Sequence, residues 1–81
     1  MKGEKSMKKE KELPMYAHIR GQIYGESRAH RIKMEEISAC TGRIEKQTLY
    51  ERLRKPQDFR LGELVAISNK LNMSLAELLG V

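Results

Sequence analysis

Apolar residues in this chain recur at three- and four-residue intervals with no alternating stretch, so helices are expected and strands are not. Tyr16, Ile19 and Ile23, with Tyr24 beside them, draw one stripe on a first helix of about Pro14–His30. Pro14 suits its first turn, where a missing N–H costs nothing. Gly21 and Gly25 each weaken it by roughly 1 kcal/mol relative to Ala, unless they admit a neighbouring helix closely. A second helix is expected over about Lys33–Cys40, with Met34, Ile37 and Thr41 on one face. Glu35 and Glu36 in its first turn complement the helix dipole, Lys33 is a poor N-cap, and Gly42 supplies a left-handed stop.

A third helix of about Glu45–Arg54 turns Leu49 and Leu53 inward, with Ile44 ahead of them, and leaves Lys46, Gln47, Tyr50 and Glu51 mainly outward. Pro56 ends it, and KPQDFR (55–60) reads as a loop. A fourth helix, about Leu61–Leu71, is expected to bury Leu61, Leu64, Val65, Ser68 and Leu71, with Asn72 closing it. Ser74-Leu-Ala-Glu77 has the capping-box spacing, in which serine and glutamate each satisfy a free backbone N–H. It opens a final short helix carrying Leu75, Leu78 and Leu79. Residues 1–12 mix Lys and Glu without apolar periodicity and read as a disordered charged arm, leaving 13–81 as one all-α, five-helix bundle.

Residues 32–53, IKMEEISACTGRIEKQTLYERL, are therefore two short helices joined by a tight turn. A helix-turn-helix that enters the DNA major groove needs a small residue where the helices cross, a turn residue tolerant of positive φ, and apolar anchors behind the second helix. Ser38, Gly42, and Leu49 with Leu53 fill those roles in order. Any helical hairpin can carry the same pattern.

Charge adds to the picture. The net +5 divides unevenly: six basic and four acidic side chains over 1–27, nine and five over 28–60, one and two over 61–81. The excess lies on the paired helices and their flanks, which suits a polyanion whose condensed counterions are released on binding. A lysine-rich surface kept for solubility explains it equally well. With 40% hydrophobic and 33% charged residues and only Tyr16, Tyr24, Tyr50 and Phe59 aromatic, an aliphatic core under a wet surface is expected.

Candidate chemistry is otherwise sparse. No nucleophile–base set, metal-ligand spacing or phosphate loop is present, so neither an enzyme nor a cofactor or small-molecule substrate is expected. His18 and His30 stand twelve apart without a second ligand pair, and the methionines form no stripe. Cys40 reads as a semi-buried packing residue. A single cysteine, no apolar run long enough for a membrane span and no export segment point to a cytoplasmic setting.

The run TLYERLRKPQDFRLGELVAISNKLNMSLAELL (48–79) closely resembles regulators of the lambda-repressor-like family, the Cro and phage repressor type. The likeness covers about Tyr16–Leu79 and is most specific over Thr48–Leu64. Three positions depart from the family pattern: the turn Gly42-Arg43-Ile44 is one residue longer, Ser38 stands where alanine is commonest, and Arg60 replaces a capping Ser or Thr. The resemblance implies a transcriptional regulator of phage or mobile-element type, repressor-like, binding a double-stranded DNA operator as a homodimer. By position it assigns base contact to Lys46, Gln47 and Glu51 on the recognition helix, where Gln suits adenine, Lys guanine and Glu cytosine. Thr48 suits a thymine methyl. Tyr50, Lys33, Arg43, Arg52, Arg54, Lys55 and Arg60 are phosphate or sugar candidates, which position without reading sequence.

For Lys46 and Gln47 the plain alternative is a solvated helix face, and Arg52 has a second option in pairing with Glu51 or a neighbouring helix. A different class of function fits the same bundle: a non-catalytic protein-interaction or oligomerisation module, with the leucines of 75–79 against a partner helix. Structured RNA on the basic face is a third.

Overall fold

The computed structural model describes residues 13–42 and 44–81, so the charged arm and Arg43 lie outside the described residues. Five α-helices follow one another: α1 (Pro14–Ala29), α2 (Met34–Cys40), α3 (Lys46–Arg54), α4 (Leu61–Lys70) and α5 (Leu75–Leu79), with a 3-10 turn, Pro56–Asp58, between α3 and α4. Among the described residues there is no strand.

Proline at the N-terminus of α1 fixes φ without losing a hydrogen bond, and Ile19, Ile23 and Ser27 line its buried stripe at strict four-residue spacing. Ser27 joins this stripe because its hydroxyl donates to the Tyr24 carbonyl, 3.1 Å away, and so enters the core satisfied. Ser38, Thr41 and Ser68 do the same three residues back on their own chain, at 3.0, 2.8 and 2.8 Å. These small hydroxyl residues let helices approach without orphaning a polar group.

Three of the five helix starts share one device. Glu36, Glu63 and Glu77 each stand three residues after the N-cap and accept its backbone N–H, from Lys33, Arg60 and Ser74 at 3.4, 3.0 and 2.8 Å. Only Ser74 returns the favour, its hydroxyl accepting from Glu77 N–H at 3.0 Å. Helix ends share another. After α1, Arg31 turns left-handed (φ 57) while Ile32 N–H reaches Ser27 O at 2.8 Å. After α4, Asn72 (φ 59) lets Met73 N–H reach Ser68 O at 2.9 Å, and after α5 Gly80 (φ 80) lets Val81 N–H reach Ala76 O at 3.0 Å. Each is the Schellman closure. Gly42, at φ 91, is the corresponding left-handed residue after α2. At Gly80 the glycine is needed twice over, since a Cβ there would sit 2.8 Å from the His18 ring.

In the packing, α1 lies against α5 and the 3-10 turn, α2 against α3 and α4, and α5 against α4. The shared core is aliphatic, with Ile23, Ile37, Leu49 and Ile67 fully sealed and Phe59 its one aromatic.

Two expectations are corrected. Leu61 and Val65 are 64% and 39% exposed instead of buried. The inward face of α4 is centred on Leu64, Ile67, Ser68 and Leu71, and at about 100° per residue Leu61 and Val65 fall on its flank. The 55–60 segment is not a plain loop: Pro56 and Phe59 are buried, and the 3-10 turn carries them under α1. Of the two options for Gly21 and Gly25, close approach of a neighbour is not the one taken, because both are exposed with nothing within 4 Å of a Cβ. Replacing both by Ala is therefore expected to stabilise the domain by about 1–2 kcal/mol in total. A thermal melt should rise by roughly 5–10 °C; a fall would mean that these positions are packed after all.

Candidate functional site

The site begins with what holds α3 from behind. Leu49 and Leu53 are fully buried, so the rotation of the helix about its axis is fixed. Ser38 on α2 is 7% exposed, consistent with a small residue between the two short helices. The C-terminal end of α3 is held by Arg20 of α1, whose Nε donates to Leu53 O at 2.7 Å and whose Nη2 donates to Arg54 O at 3.2 Å. A cation at the final carbonyls both satisfies them and complements the helix dipole.

Arg52 ties the same helix to α4. Its Nε donates to Asp58 O at 3.1 Å and lies 3.4 Å from Glu63 Oε1, with the two side chains only 17% and 9% exposed. Of the two roles open to Arg52, phosphate contact or pairing with a neighbouring helix, the structure has it in the second. One of its atoms, Nη1, is buried without a hydrogen-bond partner.

The front of α3 is polar. Lys46, Gln47, Glu51, Arg54 and Lys55 are exposed, while Thr48 and Tyr50 are half-buried. Tyr50, expected mainly outward, is half-buried and packs against the core. Lys33 and Arg60 are exposed at the N-caps of α2 and α4. Arg43, expected on the turn, lies outside the described residues.

Two shallow depressions adjoin α3. Thr48, Glu51, Arg52, Asp58 and Arg60 line one, and Glu51, Arg54, Lys55 and Asp58 line the other. The two depressions thus bring Thr48, Glu51 and the bases at 52, 54, 55 and 60 together, while Lys46, Gln47 and Lys33 line neither. Asp58 was not foreseen. With Glu51 it sets two carboxylates among the bases, so the C-terminal half of α3 is not a uniformly positive surface.

At the N-terminal end of α3 the Lys46 ammonium is 2.8 Å from Glu35 Oε2 in the first turn of α2. That hydrogen bond holds the Glu35 carboxyl below its ordinary value and raises the Lys46 ammonium above its own. Both groups therefore stay charged through neutral pH, and the pair is lost as acid takes Glu35 through its depressed pKa. Glu36 points elsewhere, 3.4 Å from Lys70 of α4. Neither Glu35 nor Arg20 carries a signal in the periodicity, because each acts across helices; Glu63 did carry one, its three-residue distance from Arg60.

Other candidate groups are accounted for by packing. Burial pushes the Cys40 thiol up, and its Sγ–H lies 3.1 Å from Ile37 O, as suits a half-buried packing residue. His18 Nε2 is 3.0 Å from Glu77 O at the end of α5, and His30 pairs with Glu26 one turn back at 3.2 Å. Among the described residues no group of three His, Cys, Asp or Glu could hold a metal ion, and no helix is long and apolar enough to cross a membrane. No family model, curated protein or solved structure matches this chain.

Proposed function

We propose that this chain is a small transcriptional regulator that binds double-stranded DNA sequence-specifically, with α2 and α3 as a lambda-repressor-like helix-turn-helix and α3 in the major groove. One observation carries the reading: α3 is sealed behind by Leu49 and Leu53 while its front exposes Lys46, Gln47, Glu51 and Arg54. A rigid helix with hydrogen-bonding side chains on its free face is what base-edge recognition requires. Lys46 and Gln47 lie in its N-terminal turn, with Thr48 and Glu51 behind them as further base contacts. Arg54, Lys55, Arg60 and Lys33, with Arg43 and Tyr50, serve phosphates or sugars. The protein acts in the cytoplasm as a homodimer on its operator, without a cofactor.

Arg54 separates positioning from reading. Arg54→Ala should weaken binding to every duplex alike and flatten the dependence of log K on log salt by about 0.9 unit, one phosphate contact's share. Titrations over a salt series check this, and an unchanged slope removes Arg54 from the interface.

The interaction-module alternative has one observation in its favour: Leu61 and Val65 sit one turn apart on α4, both exposed. A chain that self-associates through that face and prefers no duplex sequence fits it instead.

A further inference from the structure

The Lys46–Glu35 pair has consequences for how α3 meets a polyanion. Lys46 is the basic side chain of the first turn of α3, and Glu35 holds it at 2.8 Å although both side chains stay about half exposed, 48% and 63%. Glu36, the neighbouring acid, is engaged with Lys33 N–H and with Lys70, and Glu45 is an exposed carboxylate at the N-cap of α3, but it is Glu35 that holds the Lys46 ammonium. The Lys46 charge is thus cancelled locally while its ammonium keeps two further donors. Guanine O6 and N7 are neutral acceptors and can take those donors with Glu35 still in place. A phosphate cannot be served so simply, because the carboxylate beside the ammonium repels it.

We propose that Glu35 is a specificity-determining residue: it withholds Lys46 from phosphates and orients it for a base edge, so that sequence-independent binding is suppressed. The proposal rests on α3 being the DNA-reading helix. It gives Glu35, an acid that touches no DNA, control over the ratio between chosen and unchosen sites. The exposed pair is weak enough to be displaced, so the effect is graded and not a lock.

The test is a two-residue cycle, Glu35→Gln and Lys46→Met, singly and together, titrated with a mixed-sequence duplex and with the duplex preferred by the native chain. Both positions are exposed, and melting curves verify that the four proteins are equally folded. Glu35→Gln should tighten the mixed-sequence duplex about three- to fivefold, the range an exposed pair can supply. It should also steepen the salt slope by about 0.9 unit as Lys46 gains a phosphate, and lower the preferred-to-mixed ratio. On the mixed-sequence duplex, Lys46→Met should flatten the slope in the Glu35→Gln background and leave it unchanged in the native background. Equal flattening in both backgrounds overturns the proposal, as does a Glu35→Gln protein with the native ratio. Failure of the underlying reading looks different: the native chain then prefers no duplex, whatever the slopes of the four proteins.

Discussion

Arg52→Met is expected to cost about 2–4 kcal/mol of stability, a large share of what so small a domain possesses. The methionine keeps the aliphatic stem of Arg52, so the loss isolates its charge and donors. Glu63, 9% exposed, is left as a carboxylate with the Arg60 N–H at 3.0 Å and no cation. Removing one member of a buried pair is far more costly than removing both. Glu63→Gln, which still accepts from Arg60, should cost less, about 1–2 kcal/mol. The double variant should recover part of the loss, with a coupling of about 1–3 kcal/mol in a double-mutant cycle. Melting temperatures report this on a generous scale, since each kcal/mol moves a domain of this size by about 4–8 °C. A melt unchanged by Arg52→Met would mean that the guanidinium is solvated and free for a phosphate, contrary to the geometry around Asp58 O and Glu63.

Gln47→Ala should leave stability intact and weaken the preferred duplex by about 1–3 kcal/mol, between roughly fivefold and 150-fold. Gln47 is exposed, so its removal opens no cavity, and alanine is the better helix former, so α3 does not weaken. The loss should therefore appear in binding alone. A glutamine that pairs with adenine N6 and N7 contributes only where that adenine is present. Affinity for unrelated duplexes should accordingly change little, and one base position of the site should become degenerate. The contrast with Arg54→Ala, which weakens every sequence alike, is the diagnostic feature. Equal losses on preferred and unrelated duplexes would reassign Gln47 to the phosphate backbone. No loss on either would take it out of contact.

Much of the bundle was legible because local rules and burial agree along it. Ile19 and Ile23, Leu49 and Leu53, and the Ser74–Glu77 box each state their role within one or two turns of chain. Gly42 was legible for the same reason, as only a left-handed residue ends α2 where the pattern stops. Leu61 and Val65 misled because an apolar side chain on the flank of a helix looks the same in sequence as one on its inward face. Arg31 gave no sign that it would turn left-handed, since Gly or Asn is the usual occupant there and the tertiary path of α1 into α2 decides otherwise.

The candidate site was legible as a set of positions and not as a set of contacts. Lys46, Gln47 and Glu51 follow from which side of α3 the leucines take. The contacts that hold α3 do not, because Arg20 on α1 reaches the Leu53 carbonyl, Glu35 on α2 reaches Lys46 and Glu63 on α4 reaches Arg52 only once the helices are docked. Charges that read as a basic surface in sequence resolve into pairs: Lys46 with Glu35, Arg52 with Glu63, Lys70 with Glu36. The bases lining the two depressions beside α3, Arg54, Lys55 and Arg60, share them with Glu51 and Asp58. That distribution favours discrimination between sequences over indiscriminate attraction to phosphate, provided DNA is the partner.

Selection of bound duplexes from a random DNA pool by the native chain decides whether α3 reads base pairs. A short sequence should be enriched, arranged as two inverted half-sites about one helical turn apart for a two-fold symmetric dimer, and one position in each half should be lost when Gln47→Ala replaces the native chain. A pool that emerges unenriched, or an enriched site indifferent to every exposed side chain of α3, would contradict it.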